Sequence, residues 1–222
     1  MHTDRSILGS DGAVHHVLLG LTVLLIAVQP IEFGVGELFS RAVYGLVLVG
    51  CLAAVYARRR LFFVGLVIGV PALVGIVFAE NSSLGNAGLW LGIATMSYVC
   101  VVLLIGIYDR PAVTAASVTS SLTVYLLLGI LWSMAYTLTE SLSPGSFYGL
   151  ADGVTGGHRR DLFYYSFVTL TTLGYGDIGP VSPGARALVI TQAVVGQLYL
   201  VVLVASLVSG FLNEKARGRS AS

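Results

Sequence analysis

The stretch TLTTLGYGDIGP, residues 169–180, sets three threonines, two glycines flanking a tyrosine, and an aspartate between two apolar runs. These residues do not make a nucleophile–base pair, and the sequence holds no metal-ligand cluster, so enzymatic chemistry has little support. A phosphate-binding glycine loop is disfavoured too, because no Lys accompanies the glycines and no strand precedes them. What the stretch offers is backbone chemistry. Glycine adopts φ > 0 without penalty, so alternating handedness at Gly174 and Gly176 turns successive carbonyls toward one side, unlike an ordinary strand. The carbonyls of Thr172, Leu173, Gly174 and Tyr175, with the Thr172 hydroxyl, then form a ladder of neutral oxygens. Such a ladder replaces the hydration shell of a bare monovalent cation.

The elements around the ladder must hold it at membrane depth. The run from Asp161 to Gly176 is apolar enough to enter a bilayer and too short to cross it, and its glycines end a helix near Thr172. A re-entrant loop follows, tolerated only where it is buried in protein or lines a watery cavity. A helix over Asp161–Thr171 descends roughly 16 Å. An extended Thr172–Gly176 climbs back by roughly the same 16 Å. The descending helix aims its partly negative C-terminal end at the centre, which favours a cation there. One chain supplies oxygens from one side only, so closing the cage calls for several copies around an axis.

The rest of the 222-residue chain fits that setting, with 56% apolar and 10% charged residues. This is the composition of an integral membrane protein. A net charge of +1 argues against a nucleic-acid partner. Six spans are expected, at 13–29, 41–57, 61–79, 86–108, 117–139 and 185–212. The first lacks a strong basic leader and a small-residue cleavage site, and so reads as a span rather than a signal peptide. Arg58, Arg59 and Arg60 place the loop after the second span in the cytoplasm, with both termini. Eight of the twelve basic residues then lie inside, and seven acids lie outside: Glu32, Glu37, Glu80, Glu140, Asp152, Asp161 and Asp177. No loop is long enough for a soluble domain, and the largest spans 140–184. Cys51 and Cys100 fall inside apolar runs and read as packing residues. Gly65–Gly69 and Gly88–Gly92 have the GxxxG spacing of closely packed membrane helices, within a subunit or across a dimer.

TLTTLGYGD, between a span on each side, resembles the selectivity-filter signature of potassium channels, and the order span, re-entrant loop, span over 117–212 looks like their pore domain. The likeness covers about 95 residues, and the four leading spans are similar only in number and order. It implies an all-α membrane fold: six transmembrane helices, a re-entrant pore helix and an extended filter, in a fourfold homotetramer around a central pore. Residues 1–110 would be a four-helix domain of voltage-sensor-like topology and 111–222 the pore domain. Thr172, Leu173, Gly174, Tyr175 and Gly176 would be the filter, with K+ as the permeant ligand at Thr172 to Tyr175 and no other cofactor. Filter support falls to Tyr164, Tyr165, Val168, Thr171 and Asp177. The two tyrosines stand where paired aromatics form a cuff behind the filter, although an interfacial aromatic belt also explains them. Tyr164 is a candidate donor to Asp177, which braces the outer mouth. Val168 stands where some relatives carry a buried acid, so no carboxyl pair is expected. Gln192 stands where some similar pores carry glutamate.

Opening the pore falls to the last span. Gly196 occupies the position of a hinge glycine, and close packing against the pore helix explains it equally well. From it one helical face runs through Gln197, Leu200, Val204, Val208 and Leu212. Gln197 suits a watery cavity below the filter, and the apolar residues suit a constriction that closes by dewetting. The fourth span has no Arg or Lys, so voltage has little charge to act on. His15, His16 and His158 are the candidate pH sensors. The sequence thus points to a passive, multi-pass K+ channel of the plasma membrane, of prokaryotic type and not voltage-gated. It has membrane lipid around it and no cytoplasmic ligand-binding domain. The alternatives are a regulatory or non-conducting membrane subunit, or a weakly selective cation channel.

Overall fold

The computed structural model describes residues 5–28, 45, 49, 59–78, 83–108, 115–151 and 157–220. In chain order these form helices α1 (Arg5–Val28), α2 (Arg59–Phe78), α3 (Ser83–Tyr108) and α4 (Ala115–Leu142). There follow a two-residue strand β1 (Phe147–Tyr148), a short helix α5 (Gly157–Leu170), a second strand β2 (Gly179–Pro180) and the long helix α6 (Pro183–Ser220). Among the described residues three stretches are long and apolar enough to cross a membrane: Gly85–Ile107, Ser117–Leu142 and Pro183–Ser206. His16–Ala27 and Phe63–Ala72 are shorter apolar helices. Of the expected span at 41–57 only residues 45 and 49 are described, and Cys51 and the Arg58 end of the basic loop lie outside the described residues.

α4 is the hub, in contact with α1, α3, α5 and α6. Its sequence mixes leucine with serine and threonine, and burying those hydroxyls requires partners. Much of that need is met inside the helix. Ser121 donates to the Ser117 carbonyl, Thr123 to Thr119, Thr137 to Ser133 and Thr139 to Ala135, all at 2.8–2.9 Å. Back-bonding of this kind leaves the apolar side chains free to pack. Leu18 and Leu25 of α1, Met96 and Val99 of α3, Leu127 and Ile130 of α4, and Phe163 of α5 share one core. Residues of the expected 1–110 and 111–222 segments therefore pack together within one chain. α2 and α3 also pack together, and Gly65, Gly69, Gly88 and Gly92 are all buried. Cys100 is a buried free thiol.

The connection after α4 is tied down. Glu140, buried at the end of the helix, accepts the Gly145 amide at 2.7 Å and the Phe147 amide at 3.1 Å. β1 pairs antiparallel with β2, Phe147 opposite Pro180 and Tyr148 opposite Gly179. α6 begins with an N-cap: Ser182 Oγ accepts the Ala185 amide at 3.2 Å, and Pro183 takes the first helical position, where no amide is needed. α6 is 38 residues long, ten more than the expected span, and stays helical through Gly196.

Candidate functional site

The C-terminal end of α5 builds the site. The last turn of a helix leaves four carbonyls without intrahelical partners, and here all four are accounted for. Phe167 O accepts the Thr171 amide at 3.0 Å and the Thr171 hydroxyl at 2.7 Å. Val168 O accepts the Leu173 amide at 2.9 Å and the Gly174 amide at 3.5 Å, and Thr169 O accepts the Thr172 amide at 3.0 Å. Leu170 O accepts the Tyr125 hydroxyl of α4 at 3.1 Å. The bonds Leu173 to Val168 and Thr172 to Thr169 make a Schellman cap, whose C′ residue takes the left-handed conformation and is usually glycine. In this chain it is Thr172, at φ +60°. A β-branched residue there is a true outlier, costing on the order of 1–3 kcal/mol.

Positive φ then recurs at every second residue, at Thr172, Gly174 (+57°) and Gly176 (+80°). The expected alternation at the two glycines thus begins one step earlier, because the helix cap itself supplies the first left-handed residue. The helix correspondingly covers 157–170 rather than 161–171. Alternation of this kind brings consecutive carbonyls to one side of the chain, a surface of neutral oxygens suited to cations. The Thr172 hydroxyl donates to the Thr171 carbonyl at 2.6 Å, which leaves its lone pairs available. Residues 171–177 are all exposed within a single chain, with Leu173 at 55% and Tyr175 at 67%.

Behind the segment stands an aromatic cluster. Tyr165 is buried with its ring centroid 5.5 Å from that of Tyr136 and 5.8 Å from that of Phe147. Val168, three residues further along α5, is buried. Tyr164 is half-buried and donates to Asp177 Oδ2 at 2.9 Å. Burial first, then that hydrogen bond and the charge of Asp177, push the Tyr164 hydroxyl above its ordinary value. The sequence reading missed three contributors. Tyr148 of β1 donates to the Gly176 carbonyl at 3.3 Å, Tyr125 caps α5, and Ser166 joins a buried network with Gln192. Only Gln192, a polar residue within an apolar helix, carried a signal in the sequence.

On α6, Gly196 is buried, and a Cβ there would meet Leu170 Cδ1 at 2.8 Å. Close packing against α5 is therefore what this glycine permits. Gln197, Val204 and Val208 are exposed and Leu200 is half-buried. Leu212 lies in α6 with its side chain outside the described residues, as does that of His15. His16 is exposed, with Nδ1 3.1 Å from the Thr119 hydroxyl, and His158 is exposed near the start of α5. Among the described residues no group of three His, Cys, Asp or Glu side chains is placed to hold a metal.

Residues 122–212, from within α4 to the lower part of α6, match a family model described as "Ion channel". Over 96 residues the chain is 31% identical to the inward rectifier potassium channel Kirbac3.1 of Paramagnetospirillum magnetotacticum, covering 41% of this chain and 28% of the relative. Over 89 residues it is 30% identical to the two pore potassium channel c of Oryza sativa subsp. japonica, covering 40% of this chain and 18% of the relative. The aligned region spans less than a third of either relative's length. These similarities support a potassium-channel family for the C-terminal half and, with the apolar helices, a membrane protein.

Proposed function

We propose that the protein is a potassium-selective channel, with Thr172, Leu173, Gly174, Tyr175 and Gly176 as its filter. One observation carries the reading: positive φ at Thr172, Gly174 and Gly176, directly after the C-terminal end of α5. The backbone there gives up strand geometry and accepts strain at a threonine. Such strain persists where the surrounding structure imposes it, and it gathers at functional sites. The oxygens of Thr172 to Tyr175 then strip and replace the hydration shell of K+. The negative end of α5 adds a favourable potential for the cation. An ion-channel segment also suggests a non-enzyme.

The channel is a homotetramer in this reading. One chain supplies the oxygens of Thr172 to Tyr175 from one side only, and it leaves Leu173, Tyr175 and, on α6, Val201 (65%), Val204 (57%) and Val208 (53%) exposed. Copies around an axis supply the missing cover for Leu173 and Tyr175 and make a conduit of α6. The plasma membrane, six spans per subunit, cytoplasmic termini, a prokaryotic origin and absence of voltage gating belong to the same proposal. Residues 1–110 form its peripheral helices and 111–222 its pore.

The test is K+ and Na+ flux through purified protein in liposomes, beside Gly174→Ala. A side chain at φ +57° costs about 1–2 kcal/mol and displaces the carbonyls on either side. Wild type should pass K+ and reject Na+, and the variant should lose most of that discrimination. Equal permeation of the two ions by wild type would refute the selective filter.

A further inference from the structure

Three helices meet in a buried polar knot that the channel reading leaves unused. Gln192 of α6 is completely buried. Its Nε2 donates to the Ser166 carbonyl at 3.0 Å and to Ser166 Oγ at 2.8 Å. Its Oε1 accepts the hydroxyl of Tyr136, itself fully buried on α4. Ser166 Oγ passes its own proton on to the Gly129 carbonyl of α4 at 2.7 Å. Every donor and acceptor of the Gln192 side chain is used, and the directions of the bonds are dictated. Only an amide both accepts from the phenol and donates twice to the serine.

We infer that Gln192 is a positioning residue, the tie by which the inner helix holds the 172–176 segment in its conducting form. The path is short. Ser166 lies on α5 two residues before Val168, whose carbonyl accepts the Leu173 and Gly174 amides. Fixing Ser166 against α6 and α4 fixes the rotation and depth of α5, and through Val168 the backbone that carries the oxygens. Ser166 is fully buried, so its lost partners are not replaced by water. A buried network missing one member is worse than an apolar one, because the remaining polar groups are stranded. The functional consequence rests on the channel reading, whereas the tie itself does not.

The titratable groups at the knot are Tyr136 on α4 and, against its ring, Tyr165 on α5. Both are neutral phenols, so the wild-type tie is indifferent to pH across the physiological range. Gln192→Glu keeps the shape and introduces a proton. Protonated, the carboxyl donates once to Ser166. Ionised, it donates nothing and sets negative charge against the Ser166 carbonyl.

The experiment pairs two readouts on wild type, Gln192→Leu and Gln192→Glu. One is the decay of K+ current during sustained flux in liposome patches. The other is hydrogen exchange of the peptide covering 168–177, which follows the Leu173 and Gly174 amides without requiring conduction. Gln192→Leu should speed both decay and exchange by roughly tenfold, the value of one lost buried hydrogen bond. Gln192→Glu should conduct stably near about pH 5.5 and decay reversibly near about pH 9, while wild type stays flat. If wild type conducts and neither variant differs from it in exchange or decay, the inference falls and the channel reading stands. If wild type fails to conduct while exchange still quickens in Gln192→Leu, the tie stands and the channel reading falls. No conduction and unchanged exchange would end both. Should Gln192→Leu fail to fold, Tyr136→Phe and Ser166→Ala each remove part of the knot and carry the same two readouts.

Discussion

Tyr164 and Asp177 form a hydrogen-bonded pair beside the proposed filter. The donor is a neutral phenol, and burial together with the carboxylate beside it pushes its hydroxyl above the ordinary value of about 10. The sign follows from linkage: a group whose folded value is raised contributes stability in full below the unfolded value, and that contribution is lost as pH rises through the folded one. Between neutral pH and about pH 9 the pair should therefore not change. Tyr164→Phe should cost about 1 kcal/mol or less, since the bond is open to solvent. Thermal unfolding of wild type and variant in detergent, compared across that pH range, checks both statements. A difference that grows between pH 6 and 9 would contradict the assignment of the phenol as donor. At this scale the aromatic and acidic residue types were legible in the sequence. The left-handed Thr172 was not, because a threonine gives no local hint that a helix cap will force it past its preferred conformation.

α6 is held to its neighbours over its first half and open beyond. Trp132 donates to the Leu188 carbonyl at 3.2 Å, Gln192 joins α4 and α5, Gly196 lies against Leu170, and Tyr199 donates to the Ser121 carbonyl at 2.7 Å. The Tyr125 and Tyr199 rings stack 6.1 Å apart in the same region. Past Tyr199 the valines 201, 202, 204 and 208 are exposed. In the proposed channel, motion that opens the pore is therefore expected C-terminal to Tyr199 rather than at Gly196. Leu200→Asn or Val208→Asn should raise open probability several-fold in single-channel records, because a polar amide keeps an apolar constriction wet. Unchanged gating in both would count against a hydrophobic gate on this helix. The length and apolar character of α6 were plain from its sequence. Which part is anchored depends on side chains from α4 and α5, distant in the chain.

At the scale of the molecule, α1 and α3 share a core with α4, so in the proposed channel the leading helices would brace the pore segment directly. α3 contains no charged residue from Ser83 to Tyr108. Since each charge crossing the membrane field is worth about 2.3 kcal/mol per 100 mV, these helices should contribute little voltage dependence. A conductance–voltage curve with several gating charges per subunit would overturn that. By itself the sequence determined the apolar character of a membrane protein and the glycines at 174 and 176, from which the proposed re-entrant placement of residues 161–176 and the proposed oxygen chemistry of TLGYG are argued. Those follow from hydropathy, segment length and the conformational freedom of glycine, all local properties. Only the tertiary structure decided that Thr172 closes a Schellman cap, that Tyr148 reaches Gly176, and that Gln192, Ser166 and Tyr136 form one buried knot. The last two are contacts between elements up to 56 residues apart, and buried polar groups find their partners only once the helices have packed.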